Sequence, residues 1–272
     1  MEFTRSCRDI SSRGAGFEIL CHGCEVVFSS LTMLFTYVVL ALPAAAIGIP
    51  WAWLTGNIGL LYRWSMWILR TGVRLARIRV EVAGREHLLA QPCIFMANHV
   101  SNLDPPILFP ELPFRTAFFL KRSLMKIPIL GLGMRLADFV PVDRDGRLES
   151  ARESVKVGNR VLESGVNIST FPEGTRSRNG RLLPFKKGPF YLAMESGKPV
   201  IPVSIRGSEH MMTKGSLRIK PGTAHVTFHP PVYPEQFATR EQLILAVRAA
   251  ITSGLPQSMW GEEMEQASGA SL

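Results

Sequence analysis

A histidine and an aspartate, His99 and Asp104, lie five residues apart just after the apolar run of residues 93–97, which predicts a buried strand. Asp104 is followed by Pro105 and Pro106, a pattern that predicts a helix with Asp104 as its N-cap and proline in its first turn. Across so short a turn the carboxylate can accept the Nδ1–H of the histidine, which fixes the tautomer and leaves Nε2 as a free base. The spacing therefore favours general-base chemistry. A structural histidine beside an ordinary helix cap is the alternative interpretation.

Basic side chains also follow other strand-like segments, namely Lys121 after residues 116–120, Arg144 after 139–142 and Arg176 after 166–171. The guanidinium fork of Arg176 matches the geometry of a phosphate, and Gly174 permits close approach of the backbone. Because the carboxyl ends of parallel strands meet at one edge of a sheet, these side chains can converge on an anionic group if their strands are neighbours. The alternatives are an ordinary turn with a pair between Glu173 and Arg176, and a surface ion pair for Arg144.

The pattern of apolar residues from residue 77 onwards alternates between strand and helix periodicity, which predicts an α/β fold. We expect a mixed central sheet of about seven strands flanked by helices. The predicted strands are residues 78–82, 93–97, 116–120, 139–142, 166–171 and 199–205, followed by a hairpin of 217–220 and 224–228 around Pro221-Gly222. The predicted helices are residues 146–164, 188–196 and 241–251, with a helical segment at 123–136 that is broken at Pro128 and Gly131.

The N-terminal part of the chain has the character of a membrane anchor. Residues 26–62 contain no charge, and residues 26–42 form an apolar helix near the lower length limit for crossing a bilayer. Tryptophans follow, and arginines lie on both sides of the stretch, so both flanks favour the cytoplasm. These features predict an apolar helical hairpin that dips into one leaflet and bends at Pro43 and Pro50. The alternatives are a transmembrane helix, a cleaved signal peptide and a buried pair of soluble helices.

The length of the chain agrees with one sizeable core plus such an appendage. The chain has 272 residues, a net charge of +9, 46% hydrophobic residues and 19% charged residues. The positive charge suits anionic partners, and without a nucleic-acid-binding motif we expect acidic lipid or a phosphorylated substrate rather than nucleic acid. We predict an anchoring segment at residues 1–76, a catalytic domain at 77–253 and a mobile tail at 254–272.

The four cysteines do not form a convincing metal site. Cys21 and Cys24 have a ligand-like spacing, but apart from Cys7 no further ligand pair accompanies them. His99 and Asp104 also lack a third ligand nearby in the sequence. We therefore expect no metal, and free cysteines in a reducing compartment.

Four sequence blocks in order resemble the motifs of the glycerolipid acyltransferases, and among these the bacterial 1-acylglycerol-3-phosphate acyltransferases most closely. The first is Asn98-His99-x-Ser101-x-x-Asp104, and the others are Val142-Asp143-Arg144, Phe171-Pro172-Glu173-Gly174-Thr175-Arg176-Ser177 and Val200-Ile201-Pro202-Val203. The resemblance extends over roughly residues 77–231. A single block has little specificity, whereas four in the same order are a specific signal.

The resemblance implies transfer of an acyl group from acyl-CoA or acyl carrier protein to the sn-2 hydroxyl of 1-acylglycerol 3-phosphate (lysophosphatidic acid), giving phosphatidic acid without a cofactor. It implies that His99 and Asp104 are catalytic, and that the phosphate is bound by the block comprising Glu173, Gly174, Thr175 and Arg176. Lys121 and Arg144 are further candidates for the phosphate, although the family often has a glutamate where this chain has Ser123.

The bilayer is the expected partner, and we expect the protein at the inner membrane with its catalytic domain on the cytoplasmic face. Another lysolipid acceptor, including a lyso-ornithine lipid, and a non-catalytic lipid-binding protein remain as alternatives. A hydrolase is disfavoured because no Gly-x-Ser-x-Gly pattern supplies a nucleophile.

Overall fold

The computed structural model describes residues 15–113, 115–143, 148–213 and 216–261, the side chains of residues 15–24 and 148 excepted. Within these residues the chain is an α/β protein with helices on both faces of one sheet, as predicted. The α-helices are α1 (Ala15–Thr55), α2 (Gly59–Leu75), α3 (Asp104–Leu108), α4 (Leu130–Leu136), α5 (Leu148–Glu163), α6 (Gly188–Ser196), α7 (Ser208–Met211) and α8 (Arg240–Ser253).

The strands form a single seven-stranded mixed sheet in the order β1-β7-β6-β2-β5-β3-β4. They are β1 (Ile78–Ala83), β2 (Ile94–Ala97), β3 (Thr116–Lys121), β4 (Val140–Val142), β5 (Asn167–Thr170), β6 (Val200–Arg206) and β7 (Gly222–Phe228). The five strands from β6 to β4 are parallel, and β7 is antiparallel to β6 and parallel to β1. The carboxyl ends of those five parallel strands therefore meet at one edge, which we call the carboxyl edge.

Alternation along the central strands divides the core into two layers. In β2, Phe95 and Ala97 face the layer formed with α1, α2 and α3, whereas Ile94 and Met96 face the layer formed with α5, α6 and α8. All four side chains are fully buried. This is the pattern of a parallel strand that is covered on both faces. It holds β2 rigidly at the point where His99 follows it.

The N-terminal helices form a hairpin, but its bend is not where the prolines predicted it. Pro43 and Pro50 lie inside the continuous helix α1, and the chain turns only at residues 56–58. Gly48 contacts Leu61 closely, so α2 packs along this part of α1 and keeps it helical past the prolines. Among the described residues, Glu25–Thr55 is the stretch that is long and apolar enough to cross a membrane.

Two other predictions near the C-terminus are corrected. Residues 217–220 form no strand, because β7 already has a partner on each side and the backbone N–H of Ile219 donates instead to Ser30 Oγ of α1 at 2.8 Å. The predicted mobile tail is packed over its first part, since Leu255 and Met259 are buried in the core and Met259 accepts the N–H of Leu182. The rest of the tail lies outside the described residues.

Candidate active site at the carboxyl edge of the sheet

The loops after β2 and β5, together with the segment after β6, assemble the site. These strands are adjacent, since β2 pairs with β5 on one side and with β6 on the other. The three segments contribute His99 and Asp104, Glu173 and Arg176, and Ser208, respectively. Residues that are far apart in the sequence are thus close together at the carboxyl edge.

His99 and Asp104 form the pair that their spacing predicts. Nδ1 of His99 lies 2.8 Å from Oδ2 of Asp104, and the carboxylate is fully buried while the imidazole keeps 15% of its side chain exposed. Because a carboxylate can only accept, the hydrogen bond assigns the proton to Nδ1 and leaves Nε2 with a free lone pair. The arrangement can act as a general base whose cationic form is stabilised by the aspartate.

Asp104 is held by more than the histidine. Its Oδ2 accepts the backbone N–H groups of Val100 and Ser101, each at 2.8 Å, and its Oδ1 accepts the hydroxyl of Ser208 at 2.5 Å. Asp104 is the first residue of α3 rather than the predicted N-cap, which is Leu103. Its side chain turns back into the preceding loop, and these bonds offset the cost of burying its charge.

Glu173 holds the backbone of the histidine instead of facing a ligand. It is 1% exposed, and its two oxygens accept the N–H of His99 at 2.7 Å and the N–H of Leu183 at 3.0 Å. The carbonyl of His99 accepts the N–H of Ser177 at 2.9 Å. The loop after β5 therefore fixes His99 at both backbone groups. This position differs from the direct contact with phosphate that the resemblance implied for Glu173.

Burial gives Glu173 an unusual protonation behaviour. Removal of its carboxyl from water raises its pKa to about 8, and the nearby charge of Asp104 acts in the same direction. The N–H groups of His99 and Leu183 and the positive charge of Arg248 oppose this increase. The side chain that supports the histidine backbone consequently titrates near neutral pH.

Phe171 provides a flat support for the imidazole. Its ring is stacked on that of His99, with 4.1 Å between the centroids and 17° between the planes. Together with the Nδ1 hydrogen bond, the stacking restricts both the position and the rotation of the imidazole. The sequence did not predict that Phe171 supports the imidazole, because an apolar residue at the end of a strand is usually assigned to the hydrophobic core.

The other polar residues of the first motif are structural. Asn98 is buried and makes two bonds to the backbone of Ile205, at 2.7 Å and 2.8 Å, which join the end of β2 to β6. Ser101 is also buried, and its hydroxyl donates to the carbonyl oxygen of Met212 at 2.8 Å. This hydroxyl is therefore not positioned as a nucleophile, in agreement with a mechanism without a covalent enzyme intermediate.

The candidate phosphate ligands lie along the same edge at different depths. Gly174 has φ +69° and lies under the aliphatic stem of Lys186, so it forms the turn that exposes Thr175 and leaves Arg176 half-buried. Lys121 is exposed at the end of β3, two strands away from β2. Arg144 lies outside the described residues.

The site contains no metal centre among the described side chains, and the side chains of Cys21 and Cys24 are not among them. No group of three or more histidine, cysteine, aspartate or glutamate side chains in that part of the chain could hold an ion. Cys93 is a free, buried thiol, and Cys7 lies outside the described residues.

Comparisons with known proteins place the chain in a family. The family model described as Acyltransferase matches residues 79–206, which contain the strands and loops of the site up to the end of β6. A 1-acyl-sn-glycerol-3-phosphate acyltransferase of Limnanthes douglasii is 30% identical over 216 residues, covering 76% of this chain and 75% of the relative. The alpha form of that enzyme from Homo sapiens is 34% identical over 172 residues, covering 63% of this chain and 61% of the relative.

A solved structure has the same fold. The crystal structure of the 1-acyl-sn-glycerophosphate acyltransferase PlsC from Thermotoga maritima superimposes with a TM-score of 0.74 and 27% identity, covering 86% of this chain and 95% of that one. The family match and this structural neighbour identify the chain as an acyltransferase. More particularly, the chain belongs to the 1-acyl-sn-glycerol-3-phosphate acyltransferase family.

Proposed function

We propose that the protein transfers an acyl group from acyl-CoA or acyl carrier protein to the sn-2 hydroxyl of 1-acylglycerol 3-phosphate, producing phosphatidic acid. The observation that carries this proposal is the 2.8 Å hydrogen bond between His99 and the buried carboxylate of Asp104. The names of the similar proteins support the choice of lysophosphatidic acid as acceptor.

The chemistry requires a base because an alcohol does not ionise at neutral pH. Nε2 of His99 removes the proton of the acceptor hydroxyl as its oxygen attacks the thioester carbon. Asp104 stabilises the imidazolium that forms, and His99 then returns the proton to the sulfur that leaves. The bonds that form and break balance without a cofactor, so the acyl thioester is a co-substrate only.

Binding of the acceptor phosphate is assigned to the basic groups of the carboxyl edge. Arg176 is the principal candidate because its loop also holds His99 through Glu173 and Ser177. Lys121 adds positive charge from β3, and Arg144 is proposed from the sequence alone. Gly174 and Thr175 shape the turn, so a phosphate bound there lies close to the base.

The acceptor is a membrane lipid, and the hairpin of α1 and α2 accounts for access to it. Large apolar side chains of α1 are exposed along its length, including Phe28, Leu31, Phe35 and Trp53. We propose that this surface lies in the inner membrane and that the catalytic domain is on the cytoplasmic face. The carboxyl edge would then lie at the level of the lipid headgroups.

The experiment that tests the proposal is product analysis by mass spectrometry after incubation of the full chain with mixed lysolipids and both thioester donors. We expect phosphatidic acid as the main product, and a His99→Ala variant that loses at least roughly a hundredfold in kcat. Unchanged turnover in that variant would overturn the mechanism. A different main product would identify another lysolipid as the acceptor, but it would not contradict the role of His99 as the base.

A further inference from the structure

The chain between β3 and the end of α4 carries an apolar surface that the proposed reaction does not use. We call residues 122–132 the β3–α4 segment; it comprises the 3₁₀ helix Arg122–Lys126, a turn and the start of α4. Every residue of it except Met125 and Gly131 is exposed. Five of the exposed side chains are large and apolar, with 40–52% of their surface accessible: Leu124, Ile127, Ile129, Leu130 and Leu132. Such a cluster is unusual on a surface that faces only water.

The segment is a compact unit rather than a loose loop. The N–H of Leu130 donates to the carbonyl of Pro128 at 2.6 Å, which closes a three-residue turn around Ile129. Ile129 has φ +64° and ψ −60°, a strained conformation for a β-branched residue. Gly131 permits the packing that maintains it, because a Cβ there would overlap the carbonyl of Met125. The strained turn therefore places the side chain of Ile129 on the surface of the protein.

The position of the segment favours the lipid bilayer as the partner that covers it. It begins directly after β3, at the carboxyl edge that holds His99. At its other end α4 packs on the hairpin, where Leu136 and Ala137 contact a cluster formed by Ile49, Ile58 and Leu61. The segment is therefore joined through α4 to the hairpin, and it starts at the carboxyl edge, two strands away from β2.

The charges around the segment fit an anionic bilayer. Lys126 and Arg135 are exposed within and after it. The neighbouring acidic residues are paired with arginines, Asp143 with Arg122 at 2.6 Å and Asp138 with Arg115. Apolar side chains bordered by cations are the pattern of a surface that inserts below anionic headgroups.

We propose that the β3–α4 segment is a second membrane-contact surface, which inserts Ile127, Ile129 and Leu130 into the leaflet that holds the hairpin. Lys126 and Arg135 contact the anionic headgroups. The hairpin and this segment together fix the orientation of the active site against the bilayer. This inference extends the proposed function, since an acceptor in the leaflet gives the orientation its purpose.

Depth measurement tests insertion without reference to turnover. The full chain, with its four native cysteines replaced by alanine, carries a nitroxide at Ile129→Cys and is reconstituted in vesicles of phosphatidylcholine and phosphatidylglycerol. Leu245→Cys is the matched control, an exposed leucine of α8 on the opposite face of the sheet. We expect the label at residue 129 to be relaxed by oxygen and shielded from an aqueous nickel complex. Equal access of nickel to both labels would overturn the proposal.

Kinetics give the second measurement. The double variant Ile127→Ser/Leu130→Ser is expected to raise KM for vesicle-bound lysophosphatidate by roughly tenfold for each side chain that no longer enters the lipid. Its kcat and its turnover of a water-soluble short-chain acceptor should not change. An equal loss with both acceptors would refute the proposal by assigning the segment to the fold. Absence of turnover in the unmodified chain would count against the proposed function alone, because the depth measurement still decides insertion.

Discussion

His99, the proposed base, is positioned in large part by residues that only the folded chain brings to it. Its bond to Asp104 could be predicted because the two residues share one short turn. The contacts from Glu173, Phe171 and Ser208 could not, since they come from separate segments of the chain and depend on β5 and β6 lying beside β2. The Glu-Gly-Thr-Arg block was found in the sequence, but the task of its glutamate became evident only from burial and hydrogen bonds.

Ser208 is expected to act as a positioning residue. A Ser208→Ala variant removes the donor to Oδ1 of Asp104 and should lower kcat by roughly tenfold with little change in KM, because the carboxylate is less firmly oriented. Steady-state kinetics with lysophosphatidate measure this. Ser208→Thr, which keeps the hydroxyl, should retain most of the activity. Ser204→Ala is the control, a buried serine of β6 that bonds to His229; an equal kcat loss there would contradict the role.

Glu173 should make stability depend on pH. The unfolded chain releases this proton near pH 4.5, whereas the folded protein retains it to about pH 8. Between these values the folded state binds more protons, so the free energy of unfolding should fall as the pH rises, by at most about 5 kcal/mol, and level off above pH 8. Thermal unfolding across this range measures the effect. Glu173→Gln should lack this component, and an unchanged slope in the variant would exclude Glu173 as its source.

Among the elements, the strands were predicted better than their connections. Strands β2, β5 and β6 are buried on both faces, and the sequence located them within a few residues. The predicted hairpin around Pro221 was wrong, because the turn signal is local whereas the strands that pair with β7 are distant in the sequence. The bend predicted at Pro43 failed for a related reason, since packing against α2 outweighs the cost of a proline inside a helix.

The close contact between α1 and α2 depends on glycine. A Cβ at Gly72 would overlap the ring of Tyr37, whose hydroxyl is bonded to the carbonyl of Leu69. We expect Gly72→Ala to destabilise the protein by about 1–3 kcal/mol through overpacking. Gly133→Ala is the opposite case, because α4 has open space there, and should stabilise by about 0.5–1 kcal/mol. Thermal unfolding in detergent compares the two, and a Gly72→Ala variant as stable as the parent would rule out the overpacking.

At the scale of the whole molecule, charge and apolar surface point to the same partner. The net charge of +9 and the uncharged stretch of residues 26–62 were both visible in the sequence and favoured a membrane over nucleic acid. The sequence did not reveal that α4, which continues the β3–α4 segment, packs on the hairpin. This packing joins residues that are far apart in the sequence, so no local pattern encodes it.

Ionic strength should therefore change KM for the lipid substrate more than it changes kcat. Raising salt from low to physiological levels shortens the screening length to about 8 Å and weakens attraction between exposed cations and anionic lipid. We expect KM for lysophosphatidate in anionic vesicles to rise severalfold while kcat stays constant. Vesicles of neutral lipid are the control. Equal salt effects on both kinds of vesicle would argue against an electrostatic contribution of the surface.

The carboxylate of Asp104 keeps three of its four hydrogen bonds when the imidazole is removed, and the Phe171 ring, which directly follows the buried strand β5, stays in place. A His99→Gly variant would thus retain a cavity that is bounded by the carboxylate of Asp104 at one end and by the ring of Phe171 on one face. Free imidazole added to the buffer should enter this cavity and restore part of the lost turnover, in a saturable manner. Restoration proportional to buffer basicity alone would mean that the vacated space is not organised before the base arrives.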